Sequence, residues 1–86
     1  MARRSNFEIK IRRRAFGKAV RNYRLLRNLT QEELAESAEL DRKTISRLEN
    51  GLYSASLDNL WAIAYALNVS PEALLKPDAY LVKDLY

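Results

Sequence analysis

Three donor side chains, Lys43, Ser46 and Arg47, have the i, i+3, i+4 spacing that places residues on one face of a helix. Ile45 and Leu48 fall on the opposite face, where a protein core would cover them. Lysine and arginine donate hydrogen bonds to guanine O6 and N7, and serine contacts bases or phosphates. The spacing therefore indicates a helix whose outer face can bind nucleic acid.

The cations of this helix oppose its own dipole. Arg42 and Lys43 stand near its start, where the partial positive charge of a helix N-terminus disfavours cations. Charges are ordinary on a surface helix, so a solvated face is the alternative interpretation. Because helix stability does not favour cations there, we prefer the interpretation in which phosphates or base edges bind them.

Charge is divided unevenly along the chain, whose 86 residues carry a net charge of +4. Residues 1–30 hold ten basic side chains and one acidic side chain, for a net charge of +9. Residues 31–86 hold five basic and ten acidic side chains, for a net charge of −5. Such asymmetry is typical of proteins that bind nucleic acid or another acidic surface.

Several classes of protein are disfavoured by what the chain does not contain. It has no cysteine, no histidine, no glycine-rich phosphate loop and no convergent carboxylates, so we expect no catalytic site, metal or cofactor. The longest apolar run, Trp61–Leu67, is far short of the ~20 residues that a membrane span needs. No apolar segment follows the basic start, so we expect a cytoplasmic, nucleoid-associated protein.

The pattern of apolar residues predicts an all-α fold. A first helix is expected from Phe16 to Arg27, with Phe16, Val20 and Tyr23 facing the core. Asn28 can end it, because asparagine tolerates the left-handed conformation of a C-terminal cap.

Polar residues mark the ends of four further helices. Thr30 and Glu33 form a capping box for a second helix that stops near Glu39. Asp41 is suited to cap the third helix, and Gly51 to follow its last turn with positive φ. Two final helices are expected after the serines at positions 56 and 70, the last one ending before residue 77. Two short helices joined by about three residues within such a bundle are typical of a helix-turn-helix.

Two strings, Gln31–Ala35 and Ile45–Gly51, resemble the phage-repressor/Cro-like helix-turn-helix (XRE) family. The likeness covers about residues 16–76, and Leu40–Ser46 is similar to controller proteins of restriction–modification systems. The resemblance implies a compact five-helix lambda-repressor-like DNA-binding domain over residues 16–76. The domain would be flanked by a basic arm over residues 1–15 and by a short tail over residues 77–86. The tail could take part in dimerisation.

The resemblance also implies roles for individual side chains at double-stranded DNA. Gln31 would contact the DNA backbone through its side chain or its exposed N–H group. Arg24 would pair with Glu49 and brace the first helix against the recognition helix, whereas the alternative is a surface ion pair worth ~0–1 kcal/mol. Expected in or beside the major groove are Arg42, Lys43, Thr44, Ser46 and Arg47, and expected at phosphates are Asn50, Tyr53 and Ser54.

The turn between the two motif helices departs from the family pattern. That turn usually carries glycine, whereas this chain has Glu39. If the residue adopts a left-handed conformation, its side chain costs roughly 1–2 kcal/mol.

The first 14 residues lie outside the resemblance. Phe7, Ile9 and Ile11 alternate as in a strand, but Phe7, Ile11 and Ala15 also fit an upstream extension of the first helix. Either form could be a phosphate-binding or minor-groove arm, and a disordered basic tail is the alternative. The basic side chains concerned are Arg3, Arg4, Arg12, Arg13 and Arg14.

A dimer surface is expected from large apolar residues near the end of the chain. Trp61 and Tyr65 lie one turn apart on the fourth helix, and the family usually binds DNA as symmetric dimers. The tail could join this surface, pack on its own domain, or pair as a strand with Phe7–Ile11. Its apolar residues are Tyr80, Leu81, Val82, Leu85 and Tyr86.

The sequence is consistent with two functions. The first is a sequence-specific repressor or activator that binds an operator as a homodimer through a major-groove recognition helix. The second is the antitoxin of a toxin–antitoxin pair, which binds a protein toxin and also its own promoter. A neighbouring methyltransferase or endonuclease gene would favour a controller, and a neighbouring toxin gene would favour the antitoxin.

Overall fold

The structure, a computed structural model, describes residues 6–76, and this part of the chain is helical and free of strands. The expected all-α fold is confirmed. The predicted roles of Arg3, Arg4 and the tail from residue 77 onward lie outside the described residues. In chain order the helices are α1 (Asn6–Leu26), α2 (Gln31–Ala38), α3 (Arg42–Glu49), α4 (Leu57–Leu67) and α5 (Pro71–Leu75).

A single core joins all five helices. Each contributes at least one apolar side chain that is almost fully removed from solvent, and each such side chain stabilises the fold by roughly 1.5–3 kcal/mol. Helix α2 packs against both α3 and α4, so the two motif helices share the core with the rest of the domain. The largest fully buried residues are Val20, Leu34, Ile45, Leu48, Ile63, Leu67 and Leu74.

Helix α1 begins at Asn6, ten residues earlier than the predicted start at Phe16. The strand proposed for Phe7–Ile11 is therefore wrong, and so is its pairing with the tail; the helical extension is correct. Burial explains the choice, because Ile11 is only 5% exposed and Ile9 lines a groove together with Phe16. Helix α1 runs without a break across the boundary expected between residues 15 and 16.

The predicted caps are present at the starts of α2, α3 and α4. Thr30 and Glu33 form both hydrogen bonds of the capping box, and the Asp41 and Ser56 side chains accept from backbone N–H groups three residues ahead. Ser70 occupies the N-cap of α5, but its side chain makes no capping hydrogen bond.

Residues with positive φ follow α1, α2, α3 and α4, as the sequence indicated for Asn28 and Gly51. Glu39 also has left-handed angles, φ 58° and ψ 40°, without being glycine. Its backbone N–H donates to the carbonyls of Ala35 and Glu36, so the turn retains its capping bonds despite the steric cost.

Close approach between α1 and α3 depends on Gly17. A Cβ atom at this position would overlap the Leu48 carbonyl oxygen, which belongs to the α3 backbone. Glycine therefore allows the backbones of the two helices to come into contact.

Among the described residues, no helix is both long and apolar enough to cross a membrane.

Candidate nucleic-acid interface

Helix α3 separates an apolar inner face from a cationic outer face. Ile45 and Leu48 are fully buried, whereas Arg42, Lys43 and Arg47 are exposed. The predicted division of the helix into two faces is therefore confirmed. The exposed cations lie on a helix whose orientation is determined by its two core residues.

Polar side chains at the start of α3 are held in place by the cap. The Asp41 Oδ1 atom accepts from the Thr44 backbone N–H at 2.7 Å. This hydrogen bond, together with that from the Thr44 side chain and the nearby positive charges of Arg47 and Lys43, lowers the pKa of Asp41. The side chains of Thr44 and Ser46 are half-buried, so they lie closer to the body of the domain than the cations do.

A buried ion pair joins α1 to the end of α3. The Arg24 Nε and Nη2 atoms donate to the two Glu49 carboxylate oxygens at 2.7 Å and 3.0 Å. The Arg24 Nη1 atom also donates to the Leu29 carbonyl at 2.8 Å, and the two charged side chains are only 10% and 3% exposed. The hydrogen bond to Glu49 raises the pKa of Arg24 despite its burial. The pair is therefore the predicted brace and not a surface ion pair.

Gln31 lies at the first position of α2 and reaches the same carboxylate. Its Nε2 atom donates to the Glu49 Oε1 atom at 3.1 Å, and the residue is half-buried. The amide is therefore held beside the end of α3. The first N–H groups of α2 also have no partner within the helix, as at any helix start.

The loop after α3 is connected to both α3 and α1. The Asn50 Nδ2 atom donates to the Ser46 carbonyl at 2.8 Å, and Gly51 follows with φ 71°. The Ser54 hydroxyl accepts from the Arg13 Nε atom at 2.7 Å. Tyr53 and Ser54 are exposed at the outer side of this loop.

The three consecutive arginines of α1 point to different places. Arg13 reaches Ser54, and the stem of Arg14 lies beside Gly51, so both adjoin the loop after α3. Arg12 is exposed and lies 3.7 Å from the Glu8 carboxylate. The structure thus places Arg13 and Arg14 beside the expected phosphate-contacting loop and turns Arg12 partly towards its own helix.

Sequence reasoning missed three features of this surface. It did not assign Gly17 a role, nor predict the hydrogen bonds from Gln31 to Glu49 and from Arg13 to Ser54. A glycine inside a helical pattern was a usable signal for the first, because it often marks a close packing contact. Both hydrogen bonds join residues far apart in sequence, and no local pattern indicated them.

A second exposed surface lies on α4 and is apolar. Leu57, Trp61 and Tyr65 are spaced four residues apart and are 66%, 55% and 88% exposed. An open groove of about 280 Å³ adjoins Leu57, with Phe16 and Leu75 among its apolar lining residues. The α4 side chains are apolar, whereas the groove beside them is also lined by Arg12, Arg13, Tyr53 and Ser54 and so borders the candidate nucleic-acid interface.

Comparisons with known proteins agree with this geometry. The helix-turn-helix family HTH_3 matches residues 20–74. Control protein C.BamHI from Bacillus amyloliquefaciens is 46% identical over 61 residues, which cover 70% of this chain and 75% of that protein. Control protein C.SmaI from Serratia marcescens is 43% identical over 56 residues, covering 65% of this chain and 67% of that protein.

A solved structure shows the same arrangement of helices. The restriction–modification controller protein C.AhdI from Aeromonas hydrophila superposes with a TM-score of 0.73 at 34% sequence identity. The match covers 76% of this chain and 94% of that protein. The similarity therefore includes the helices that carry the candidate interface.

Proposed function

The chain belongs to the helix-turn-helix family HTH_3 and is a DNA-binding transcriptional regulator, and we propose that it controls the genes of a restriction–modification system. Its similarity to C.BamHI, C.SmaI and C.AhdI, all named control or controller proteins, supports this assignment. The same relatives favour a controller over the antitoxin interpretation.

The observation that carries the proposal is the outer face of α3. Buried Ile45 and Leu48 orient the helix so that Lys43 and Arg47 project from the domain. In our proposal this face enters the major groove, where the cations donate to guanine O6 and N7. Arg42 and Ser46 assist at base edges or phosphates, and Thr44 lies at the edge of the groove.

Phosphate contacts on both sides of α3 hold it in the groove in this proposal. Gln31 at the start of α2 contacts a phosphate of one DNA strand. The other strand is contacted by Asn50, Tyr53 and Ser54. Arg13 and Arg14 add positive charge beside the loop, which supports placing this part of α1 near the phosphates. Arg12 contributes through longer-range attraction, since its charge is partly balanced by Glu8.

The regulator acts as a homodimer in this proposal, and the apolar face of α4 supplies the contact. Leu57, Trp61 and Tyr65 form one stripe, and a two-fold axis through it would pair the stripe with itself. Burying an apolar side chain as exposed as Tyr65 against a second copy stabilises the dimer, because its apolar surface is removed from water. Two recognition helices would then read inverted half-sites about one helical turn, ~34 Å, apart.

Footprinting on the DNA upstream of the protein's own gene tests this function. We expect protection of two inverted half-sites, because each copy presents one α3. Binding to this DNA and to a random duplex of equal length is then measured at several salt concentrations. The affinity should fall with a log–log slope of about −0.9 per neutralised phosphate. A slope near zero on both duplexes would contradict DNA binding by this surface.

A further inference from the structure

One oxygen of the Glu49 carboxylate receives hydrogen bonds from two other helices. The Oε1 atom accepts from Arg24 Nη2 at 3.0 Å and from Gln31 Nε2 at 3.1 Å. The carboxylate of α3 therefore links α1 with the first residue of α2. Its side chain is only 3% exposed, so water scarcely competes for these bonds.

The chemistry of the carboxylate determines how the Gln31 amide is turned. An ionised carboxylate only accepts hydrogen bonds, whereas the two ends of a glutamine amide differ, one donating and one accepting. If the amide were reversed, its oxygen would face the Glu49 oxygen and the two would repel. Glu49 thus selects the orientation in which one N–H of the Gln31 side-chain amide donates to the Glu49 carboxylate. The second N–H of that amide can then donate to another acceptor.

Arg24 removes the cost that a carboxylate would otherwise impose at this place. A negative charge near the expected phosphates would repel them, but both Glu49 oxygens are bound by the Arg24 guanidinium. Glu49 can therefore orient its neighbour without opposing the approach of DNA.

We propose that Glu49 is a positioning residue for DNA binding, which orients the Gln31 amide so that its second N–H donates to a backbone phosphate. The inference rests on the proposed function, because it needs the DNA to approach α3. Gln31 then contributes to affinity only while Glu49 holds it. The contact carries no base information, so it strengthens binding to operator and random DNA alike.

A double-mutant cycle tests this coupling. Gln31→Ala is made in the natural chain and in an Arg24→Met/Glu49→Met chain, in which apolar side chains of similar length replace the buried pair. Such replacements are often neutral or stabilising. Affinities for the operator and for a random duplex are measured at several salt concentrations, together with the unfolding midpoint of each variant. Ser37→Ala, at an exposed position of the same helix, is the matched control.

In the natural chain, Gln31→Ala should weaken binding to both duplexes about tenfold, the value of one hydrogen bond to a charged group. The salt slope should not change, because glutamine carries no charge and releases no counterion. In the Met/Met chain, the same substitution should have almost no further effect. Ser37→Ala should leave both affinities unchanged.

Equal losses of affinity in the two chains would overturn the proposal, since Gln31 would then act without Glu49. An unchanged affinity with a lowered unfolding midpoint would overturn it as well, and would make Gln31 a structural link only. Should the Met/Met chain fail to fold, an Arg24→Gln/Glu49→Gln chain replaces it, because two amides can hydrogen-bond each other without leaving a buried charge. An amide at position 49 can either accept from Gln31 or donate to it, so it no longer fixes one orientation of Gln31. Failure of the proposed function is distinguishable, because the unsubstituted chain would then bind neither duplex.

Discussion

Helices α3 and α4 bury similar side chains in the same core but expose different ones to solvent. Helix α3 buries Ile45 and Leu48 and exposes cations, among them Arg47. Helix α4 buries Ile63 among others and exposes an apolar stripe that includes Tyr65. The inner faces of the two helices are chemically alike, since both consist of aliphatic side chains. Their outer faces differ, because one is cationic and the other is apolar.

This contrast separates the residues that determine the fold from those that determine binding. Fully buried aliphatic side chains orient each helix, and any similar set would do so. The outer faces are not part of the core, and in our proposal their chemistry serves DNA at α3 and a second copy at α4. Substitutions on the two kinds of face should therefore have separable effects on stability and on binding.

The largest effect is expected at the buried ion pair of Arg24 and Glu49, which joins α1 to the end of α3. Glu49→Ala leaves Arg24 buried without its partner, and the free energy of unfolding should fall by about 3–5 kcal/mol. Urea denaturation measures the change. Arg47→Ala, on the exposed face of the same helix, should change stability by no more than about 0.5 kcal/mol. Comparable losses for the two substitutions would break the distinction between the faces.

A smaller effect is expected for the face of α4, and it should appear in association only. Replacing Trp61 and Tyr65 together by serine should weaken the dimer by about 2 kcal/mol or more, because buried aromatic residues dominate such contacts. Sedimentation equilibrium over a range of concentrations gives the dissociation constant.

Leu52→Ser is the matched control for this surface. Leu52 is 73% exposed but lies in the loop before α4, outside the apolar stripe. It should leave the dimer unchanged. A protein that remains monomeric at high micromolar concentration, with and without DNA, would contradict the role assigned to α4.

The smallest effect is expected at Thr30, which caps α2, the helix that packs against both α3 and α4. Thr30→Ala removes the hydrogen bond from the hydroxyl to the Glu33 N–H, 3.0 Å long, and should cost about 1 kcal/mol. The dimer constant and the base preference should both stay as they were. Thr30→Ser, which retains the hydroxyl, is the control, and an unchanged denaturation midpoint for Thr30→Ala would refute the role of the cap.

Local chemistry made much of this architecture predictable. The capping box at Thr30, the cap at Asp41 and the positive φ of Gly51 each depend on residues within one turn of the chain. Opposed faces of α3 followed from the helical period alone. The buried pair of Arg24 and Glu49 was expected only through the family resemblance, since 25 residues separate the partners.

The remaining features depend on contacts that no local pattern contains. The alternation of Phe7, Ile9 and Ile11 fits a strand equally well, and packing of α1 against the rest of the domain decided for a helix. The bond from Arg13 to Ser54 spans 41 positions and depends on how α1 crosses the loop after α3. Individual DNA contacts depend further on the partner, so they stay predictions.

The most direct test of the account is the base preference of Arg47→Ala. Because Arg47 stands opposite the buried face of α3, it should donate to a base edge. The substitution should cost about 1–3 kcal/mol on the preferred operator and relax the preference at one base position. Replacing Arg13 and Arg14 together should instead weaken operator and random DNA equally and flatten the salt slope. An equal loss of affinity on both duplexes for Arg47→Ala would contradict base readout and assign Arg47 to the phosphate backbone.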